Sequence, residues 1–147
     1  MKLSTKVRYG MRAMLELAVG YGKGPILLRV IGKKQKISEK YLEQLLVPLK
    51  STGLIKSIRG PNGGYILSKS PAQLKLSEIV DALEGPTCLV GCIEDPKTCS
   101  FVESCVTRDV WIEMQEAIKQ ILNSITLENL VERQQKKKVI LGTIYHI

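Results

Sequence analysis

The first forty residues place apolar side chains at helical spacing between polar ones. Ser4 or Thr5 can cap a first helix, because their hydroxyls accept from backbone N–H groups that a helix start leaves unpaired. The glycines that begin at Gly20 end this helix. A short second helix is predicted from Leu28 to Gln35. The apolar face of the first helix consists of Val7, Met11, Met14, Leu15 and Ala18.

A third helix and a hairpin are predicted next. The helix runs from Glu39 to about Thr52, with Ser38 as its N-cap. Pro48 lies inside it, and because an interior proline costs about 3 kcal/mol or bends a helix, we expect a kink in the last turns. Two strands, over 54–58 and 65–67, flank a turn-forming sequence and are expected to pair as a hairpin.

The second half of the chain is again helical, around a segment without periodicity. A short helix is predicted over 77–84, and the segment 86–105 has neither helical nor strand spacing. Ser100 and Glu103 form a capping-box pattern that is expected to open a long helix ending near residue 124. Thr126 caps a last short helix that ends near residue 135. The apolar stripe of the long helix comprises Val110, Met114, Ala117, Ile118, Ile121, Leu122 and Ile125.

Charge divides the chain in two. Residues 1–80 carry 15 Lys and Arg against 4 Asp and Glu, whereas residues 81–147 carry 7 against 10, within a net charge of +8. A basic half of this kind is either a surface that binds polyanions such as nucleic acid or a surface tuned for solubility. The chain has no 18-residue apolar run and no N-terminal signal core, so we expect a cytoplasmic protein that does not enter a membrane.

The order of the predicted elements indicates a mainly α fold with a small β-hairpin. Two helices joined by a short turn and followed by a hairpin define a winged helix-turn-helix, here extended by a long C-terminal helix. His146 is the only histidine, and neither a phosphate loop nor a pairing of nucleophile and base is found. An enzyme is therefore not expected.

In a winged helix-turn-helix the second helix of the pair enters the major groove of DNA. Glu43 on that helix can accept from a cytosine amino group, Gln44 can pair with adenine, and Arg59 at the hairpin tip can enter a narrow minor groove. A solvated helix face and an ordinary tight turn are the alternatives, and the basic half favours DNA. The candidate DNA contacts are Ser38, Lys40, Tyr41, Glu43, Gln44, Arg59, Pro61, Asn62 and Gly63, with Lys33, Lys34, Lys36 and Lys50 nearby to neutralise phosphates.

Five stretches of the chain resemble the Rrf-type winged-helix regulators. This family includes regulators of iron–sulfur assembly and of cysteine metabolism and a nitric-oxide-sensing repressor. The resemblance runs without large gaps from Met1 to about Val131, and its most specific part pairs YLEQLL with RGPNGGY. The matching stretches are MKLSTKVRYGMRAMLELA, ISEKYLEQLL, SIRGPNGGYIL, LSEIVDALEGP and SITLENL.

The resemblance implies a repressor that binds double-stranded DNA as a homodimer on a palindromic operator. It implies that the long helix crosses to the partner subunit, and that Glu43, the early residues of the third helix and Arg59 contact DNA. We therefore divide the chain into a DNA-binding domain (1–85), a cysteine segment (86–105), a dimerisation helix with the short helix after it (106–135), and a tail (136–147).

All four cysteines fall within 18 residues of the cysteine segment. Clustered cysteines in a reducing compartment more often bind metal or respond to redox state than form structural disulfides. Thiolates suit both zinc and iron–sulfur clusters, and the spacing here lacks the Cys-x2-Cys knuckle of most small zinc sites. The resemblance implies that Cys92, Cys99 and Cys105 hold an iron–sulfur cluster, of the 2Fe–2S type in preference to 4Fe–4S.

The resemblance does not supply a fourth ligand. Related regulators place a histidine three residues after the last of these cysteines, or an aspartate in the first helix, where this chain has Arg108 and Arg8. An arginine has no free lone pair and does not ligate a metal. Cys88 is the remaining thiolate and is therefore the candidate fourth ligand.

Other uses of the cysteines stay open: free thiols, a zinc site, and a thiol–disulfide switch without metal. One member of the family regulates cysteine metabolism without a cluster, by binding a cysteine-biosynthesis enzyme. The leading prediction is a regulator whose operator affinity changes with the cluster. The alternative is a cluster-free regulator, with no cofactor, that such an enzyme or thiol oxidation controls.

Overall fold

The computed structural model describes residues 1–145, in which helices and one hairpin follow each other much as the apolar spacing predicts. The helices are α1 (Thr5–Val19), α2 (Leu28–Gln35), α3 (Glu39–Ser51), α4 (Leu76–Glu84), α5 (Gly91–Glu94), α6 (Val106–Ser124) and α7 (Leu127–Tyr145), and the strands are β1 (Ile55–Ile58) and β2 (Gly64–Leu67). Short 3-10 turns lie at Pro71–Gln73 and Pro96–Thr98. The predicted class, mainly α with a small hairpin, is confirmed.

Local capping fixes the starts of α1 and α3. The Ser4 hydroxyl accepts from the Val7 N–H at 3.1 Å, and the Ser38 hydroxyl accepts from the Tyr41 N–H at 3.2 Å. Ser38 was predicted as the cap of α3, and of the two candidates for α1, Ser4 and Thr5, the structure has Ser4. The interior Pro48 does not end α3, which continues for another turn beyond it.

The hairpin packs against the chain that precedes α2. The two strands are antiparallel, with Ile58 opposite Gly64. The Ile26 N–H donates to the Tyr65 carbonyl at 3.0 Å, and the Ile26 carbonyl accepts from the Tyr65 N–H at 2.8 Å. Gly64 has φ +148°, and a Cβ there would lie 2.5 Å from the Ile26 carbonyl oxygen. Glycine is therefore required where these two segments cross.

The core lies between α1, α3 and α4, and the start of α7 closes it. The Leu76 N–H donates to the Ile125 carbonyl, and the Leu127 N–H donates to the Leu74 carbonyl, both at 2.9 Å. These bonds place the first residue of α7 beneath α1, so the last third of the chain completes the core of the first. The largest fully buried side chains are Met14, Leu17, Ile31, Leu42, Leu45, Leu46, Leu49, Ile55, Leu74, Ile79 and Leu127.

The start of α6 differs from the predicted one. The expectation that Ser100 and Glu103 open this helix is wrong, because the Ser104 N–H donates to the Phe101 carbonyl at 3.1 Å and closes a turn instead. Cys105 takes the N-cap position, and α6 begins with the next residue. A serine three residues before a glutamate also occurs in loops, so the pattern alone does not place a helix start.

Helix α7 is longer than predicted. At its start the Thr126 N–H donates to Asn129 Oδ1 at 2.9 Å, and the Asn129 N–H donates to the Thr126 hydroxyl at 3.2 Å. The helix continues past the predicted end near residue 135, because no proline and no glycine before Gly142 interrupts it. No helix within residues 1–145 is both long and apolar enough to cross a bilayer. His146 lies outside the described residues.

Candidate nucleic-acid interface and cysteine segment

One face of α3 is exposed at the positions that the sequence assigns to DNA. Ser38, Lys40, Glu43 and Gln44 are exposed, and Tyr41 is half-buried. The opposite face of α3 is buried in the core, so the exposed side chains project away from the fold. The lysines expected to meet phosphates are exposed as well, namely Lys33, Lys34, Lys36, Lys40 and Lys50.

A tight turn sets α3 against α2. Lys36 has a left-handed φ of +56°, and the Ile37 N–H donates to the Gly32 carbonyl at 3.0 Å. A Cβ at Gly32 would lie 2.8 Å from the Ile37 carbonyl oxygen, so glycine allows this close approach. Two helices joined by such a turn, with a hairpin beyond them, have the arrangement of a winged helix-turn-helix.

Tyr41, at the start of α3, packs against α1. Its ring meets the Tyr9 ring edge to face, with centroids 6.0 Å apart and planes at 81°. The guanidinium carbons of Arg8 and Arg12 lie over the Tyr9 ring, at 5.9 and 5.1 Å from its centroid. The first turn of α3 is thus in contact with an aromatic and cationic face of α1.

Gln35, the last residue of α2, is also bonded to α1. Arg12 Nε donates to Gln35 Oε1 at 2.8 Å, and Arg12 Nη2 donates to the Gln35 backbone carbonyl. Gln35 Nε2 donates to Glu16 Oε1 at 2.6 Å, and Lys34 Nζ lies 3.7 Å from Glu16 Oε2. Sequence reasoning missed these contacts, because the one-turn spacing of Arg12 and Glu16 gives no sign that Gln35 lies between them.

The tip of the hairpin is a short exposed loop. Arg59, Pro61 and Asn62 are exposed. Gly63 is buried: its N–H donates to the Gly60 carbonyl at 3.0 Å, and a Cβ on it would lie 2.2 Å from a carbonyl oxygen of β1. Gly63 therefore shapes the tip, and the three exposed residues are the ones placed to reach a ligand.

The four cysteines are spread along the cysteine segment, which connects α4 to α6. Cys88 is exposed, Cys92, Cys99 and Cys105 are half-buried, and all four are free thiols. Cys92 lies within α5, and a 3-10 turn lies between Cys92 and Cys99; the sequence did not predict either of these short elements. Within residues 1–145 no three His, Cys, Asp or Glu side chains are grouped so as to hold a metal ion. The donor type fits an iron–sulfur cluster, whereas this arrangement of the thiols does not.

Arg108 lies three residues after Cys105, at the position for which the sequence resemblance implies a histidine ligand in related regulators. Its Nε donates to the Cys92 carbonyl at 3.4 Å. The Cys105 Sγ lies 3.3 Å from Thr107 Oγ1. That hydroxyl, and after it the backbone N–H of Arg108, lower the pKa of the Cys105 thiol below its ordinary value, because both stabilise the thiolate at the N-cap of α6.

Gln115 connects α6 to the start of the cysteine segment. Its side chain is buried, with 6% of the residue exposed, and its Oε1 accepts from the Leu89 N–H at 3.0 Å. Sequence reasoning missed this contact, although a glutamine next to the apolar stripe of α6 was an available signal. The start of the segment is thereby held at a defined position on α6.

A cavity of about 920 Å³ opens between α1, α4, α6 and the start of the cysteine segment. Cys88, Arg8 and Arg12 line it, so the cysteine segment borders the same space as the two arginines that lie over the Tyr9 ring. Its other walls are mainly apolar and include Val7, Met11, Leu15, Val80, Ile118 and Leu122.

The helix-turn-helix, the exposed face of α3 and the exposed hairpin tip define a DNA-binding transcriptional regulator of the winged-helix class. The sequence model of the Rrf2 family, described as an iron-dependent transcriptional regulator, matches residues 3–133. The chain belongs to the Rrf2 family, which confirms the resemblance found in its sequence.

Two regulators of this family are similar to the chain. It is 45% identical over 130 residues to the transcriptional regulator CymR of Bacillus subtilis, covering 88% of this chain and 89% of CymR. The solved structure of that protein, described as the global cysteine regulator, matches with a TM-score of 0.78 and 42% identity over 90% of this chain and 98% of that one. The structure of T. potens IscR matches with a TM-score of 0.78 and 37% identity, over 93% of this chain and 90% of that one.

Proposed function

We propose that the chain is a repressor that binds a palindromic DNA duplex as a homodimer and that the cysteine segment adjusts its DNA affinity. The observation that carries the DNA-binding part is the exposed face of α3, from Ser38 to Gln44, which stands free of the core beside exposed lysines. The relatives reported above are named as transcriptional regulators, which supports a non-catalytic role.

We assign the base contacts to α3 and the minor-groove contact to the hairpin. Glu43 would accept from a cytosine amino group and Gln44 would pair with adenine. Ser38, Lys40 and Tyr41 would contact the backbone or flanking bases at the start of the helix. Arg59 would enter a narrow minor groove, with Pro61 and Asn62 beside it at the exposed tip and Gly63 supporting the turn.

We assign the dimer contact to α6. Large apolar side chains on this helix are exposed in the single chain, and a surface of this kind is typical of a protein–protein interface. They are Val106, Val110, Trp111 and Ile121. Sedimentation analysis would test this assignment: Val110→Asp is expected to give a monomer, and Asn123→Asp, which adds one charge at an exposed position of the same helix, is expected to leave a dimer.

For the control of DNA affinity we propose an iron–sulfur cluster, 2Fe–2S in preference to 4Fe–4S. Cys92, Cys99 and Cys105 would be ligands and Cys88 the fourth. The proposal is supported by four thiols within 18 residues and by the description of the family as iron-dependent. Because the thiols are not grouped around one point here, the segment between α4 and α6 has to rearrange to bind such a cluster.

A cluster-free regulator is the second candidate. It is favoured by the ungrouped free thiols and by the 45% identity to CymR. In this case oxidation of the thiols, or a partner enzyme of cysteine biosynthesis, would change the DNA affinity.

Anaerobic purification followed by an absorption spectrum and iron, sulfide and thiol assays would decide between the two candidates. The cluster proposal expects a coloured protein with stoichiometric iron that loses the colour in Cys92→Ser. A colourless protein with four reactive thiols and no iron would overturn it and favour the second candidate. Cys88→Ser tests the fourth ligand: undiminished cluster retention would remove Cys88 from the ligand set.

DNA binding has its own test. The duplex that the wild-type chain enriches from a random-sequence library serves as the operator, and a scrambled duplex of the same composition serves as the control. We expect an enriched sequence with two-fold symmetry. The absence of an enriched sequence, or equal affinity for the enriched and the scrambled duplex, would overturn the DNA-reading proposal whatever the cysteines bind.

A further inference from the structure

The junction between α2 and α3 is fastened to α1 by one amide side chain. Gln35 accepts from Arg12 through both its side-chain and its backbone oxygen, and donates to Glu16. Arg12 and Glu16 form no ion pair with each other among the described residues. Gln35 therefore joins the end of α2 to both the Arg12 guanidinium and the Glu16 carboxylate of α1.

The Glu16 carboxylate depends on the hydrogen bond that the Gln35 amide donates to it. The Glu16 side chain is 11% exposed, so water replaces a lost hydrogen bond only in part. Lys34, the other group near this carboxylate, is 62% exposed and lies 3.7 Å away, a weak and screened contact. The amide of Gln35 is thus the close neutral donor to this carboxylate.

The Arg12 guanidinium is also connected to the start of α3, through Tyr9. Arg12 lies over the Tyr9 ring, and Tyr9 packs edge to face on Tyr41. The left-handed turn at Lys36 follows Gln35 directly, so a change in the position of Gln35 is passed to α3 within a few residues. Arg12 therefore bonds directly to Gln35, before the turn, and contacts Tyr41, after the turn, through Tyr9.

We propose that Gln35 is a positioning residue for DNA reading: through Arg12 and Glu16 it fixes the orientation of α3, and so the discrimination between operator and other DNA. This inference rests on the proposed function of α3 as the reading helix. Gln35 itself does not have to touch DNA, and Arg12 acts here through its fork of donors rather than through its charge.

The test compares five variants on the selected operator and its scrambled duplex, and the fifth combines Gln35→Met with Arg12→Lys. Gln35→Met keeps the length of the side chain and removes the amide. Glu16→Gln combined with Gln35→Glu exchanges donor and acceptor, so that the Arg12 and position-16 contacts can both reform with an unchanged net charge. Arg12→Lys keeps the charge and removes the fork, and Arg8→Lys is its control, because Arg8 also lies over Tyr9 but bonds Thr5 instead of Gln35.

Gln35→Met and Arg12→Lys are each expected to lower the ratio of operator to scrambled affinity about tenfold, the size of one lost base contact. The affinity for the scrambled duplex and its salt dependence should stay unchanged. The losses from Gln35→Met and Arg12→Lys should not add when the two are combined. Arg8→Lys and the exchanged pair should behave as wild type. Equal losses on both duplexes, or an unchanged ratio in Gln35→Met at an unchanged melting temperature, would overturn the inference. If the wild type itself does not discriminate, the proposed function fails instead.

Discussion

The Oε1 of Gln115 accepts a hydrogen bond from the Leu89 N–H at 3.0 Å, across 26 positions of sequence. Gln115 is the buried polar side chain of α6, and Leu89 directly follows the first cysteine of the segment. This contact places the cysteine segment on the helix to which we assign the dimer interface. A movement of either one is therefore constrained by the other.

Replacing this glutamine should cost stability. In Gln115→Leu the Leu89 N–H loses its acceptor while it stays partly buried, and we expect a loss of about 1–2 kcal/mol in the free energy of unfolding in urea. Gln120→Leu is the control, because Gln120 is exposed on the same helix. Equal free energies of unfolding for the two variants would contradict the assigned contact.

The Cys105 thiol should react faster than an ordinary cysteine at neutral pH. Its pKa is lowered chiefly by the Thr107 hydroxyl, so a larger fraction is thiolate at pH 7. Thr107→Val should raise this pKa and slow alkylation by iodoacetamide, measured by peptide mass spectrometry on reduced, metal-free protein. Thr107→Ser keeps the hydroxyl and should stay near wild type. An unchanged rate in Thr107→Val would remove the hydroxyl as the cause.

Gly64 should tolerate substitution less well than Gly60. Both have positive φ, but a Cβ at Gly64 meets the Ile26 backbone at 2.5 Å, whereas a Cβ at Gly60 meets nothing within 4 Å. We expect Gly60→Ala to lose about 1 kcal/mol from backbone strain, and Gly64→Ala to lose at least about 2 kcal/mol, because the clash adds to it. Thermal unfolding monitored by circular dichroism measures both. A smaller loss for Gly64→Ala would contradict the close crossing with Ile26.

Arg59→Ala should weaken binding to the operator about tenfold and reduce the slope of log affinity against log salt by about one. The reason is the loss of a cation from the exposed tip of the hairpin. Lys97→Ala removes the same charge from the exposed cysteine segment and serves as the control. Identical salt slopes for the two variants in fluorescence anisotropy would place Arg59 away from the DNA.

Glu43→Ala should act differently from Arg59→Ala. It removes a base acceptor and one negative charge, so we expect wider sequence tolerance at one position of each half-site without a general loss of affinity. Glu39→Ala is the control, because it removes the same charge from the first turn of the same helix. Library selection with both variants measures this. An enriched sequence identical to that of the wild type after Glu43→Ala would exclude base reading by Glu43.

The features that could be predicted from the sequence are those that a few neighbouring residues determine. Ser4 and Ser38 mark the starts of α1 and α3 because each hydroxyl bonds an N–H three residues away. The hairpin was found from its turn residues, and the exposed face of α3 from the spacing of its buried leucines. Each of these depends on a few neighbouring residues.

Contacts between distant segments could not be predicted in this way. The bonds of Gln35 to α1 and of Gln115 to Leu89 span 19 to 26 positions. The place of Gln115 beside the apolar stripe of α6 was a signal of burial, but the neighbours of neither glutamine indicate its bonding partner. The start of α6 was misplaced because a capping pattern at Ser100 also suits a turn. The thiols raised the same difficulty: their spacing is visible in the sequence, but their distances from one another depend on how the segment folds.

The hydrogen bond from the Leu76 N–H to the Ile125 carbonyl, with Leu127 buried beneath α1, limits how this chain can be divided. A fragment that ends after α4 would retain the whole hairpin and both helices of the helix-turn-helix. It would lack Leu127, however, and the apolar core around that position would be exposed to water. A hybrid that receives the cysteine segment and α6 from a relative has to rejoin the host chain before Thr126. In this chain the cysteine segment and α6 are therefore best exchanged as an internal insert, with both ends of the host retained.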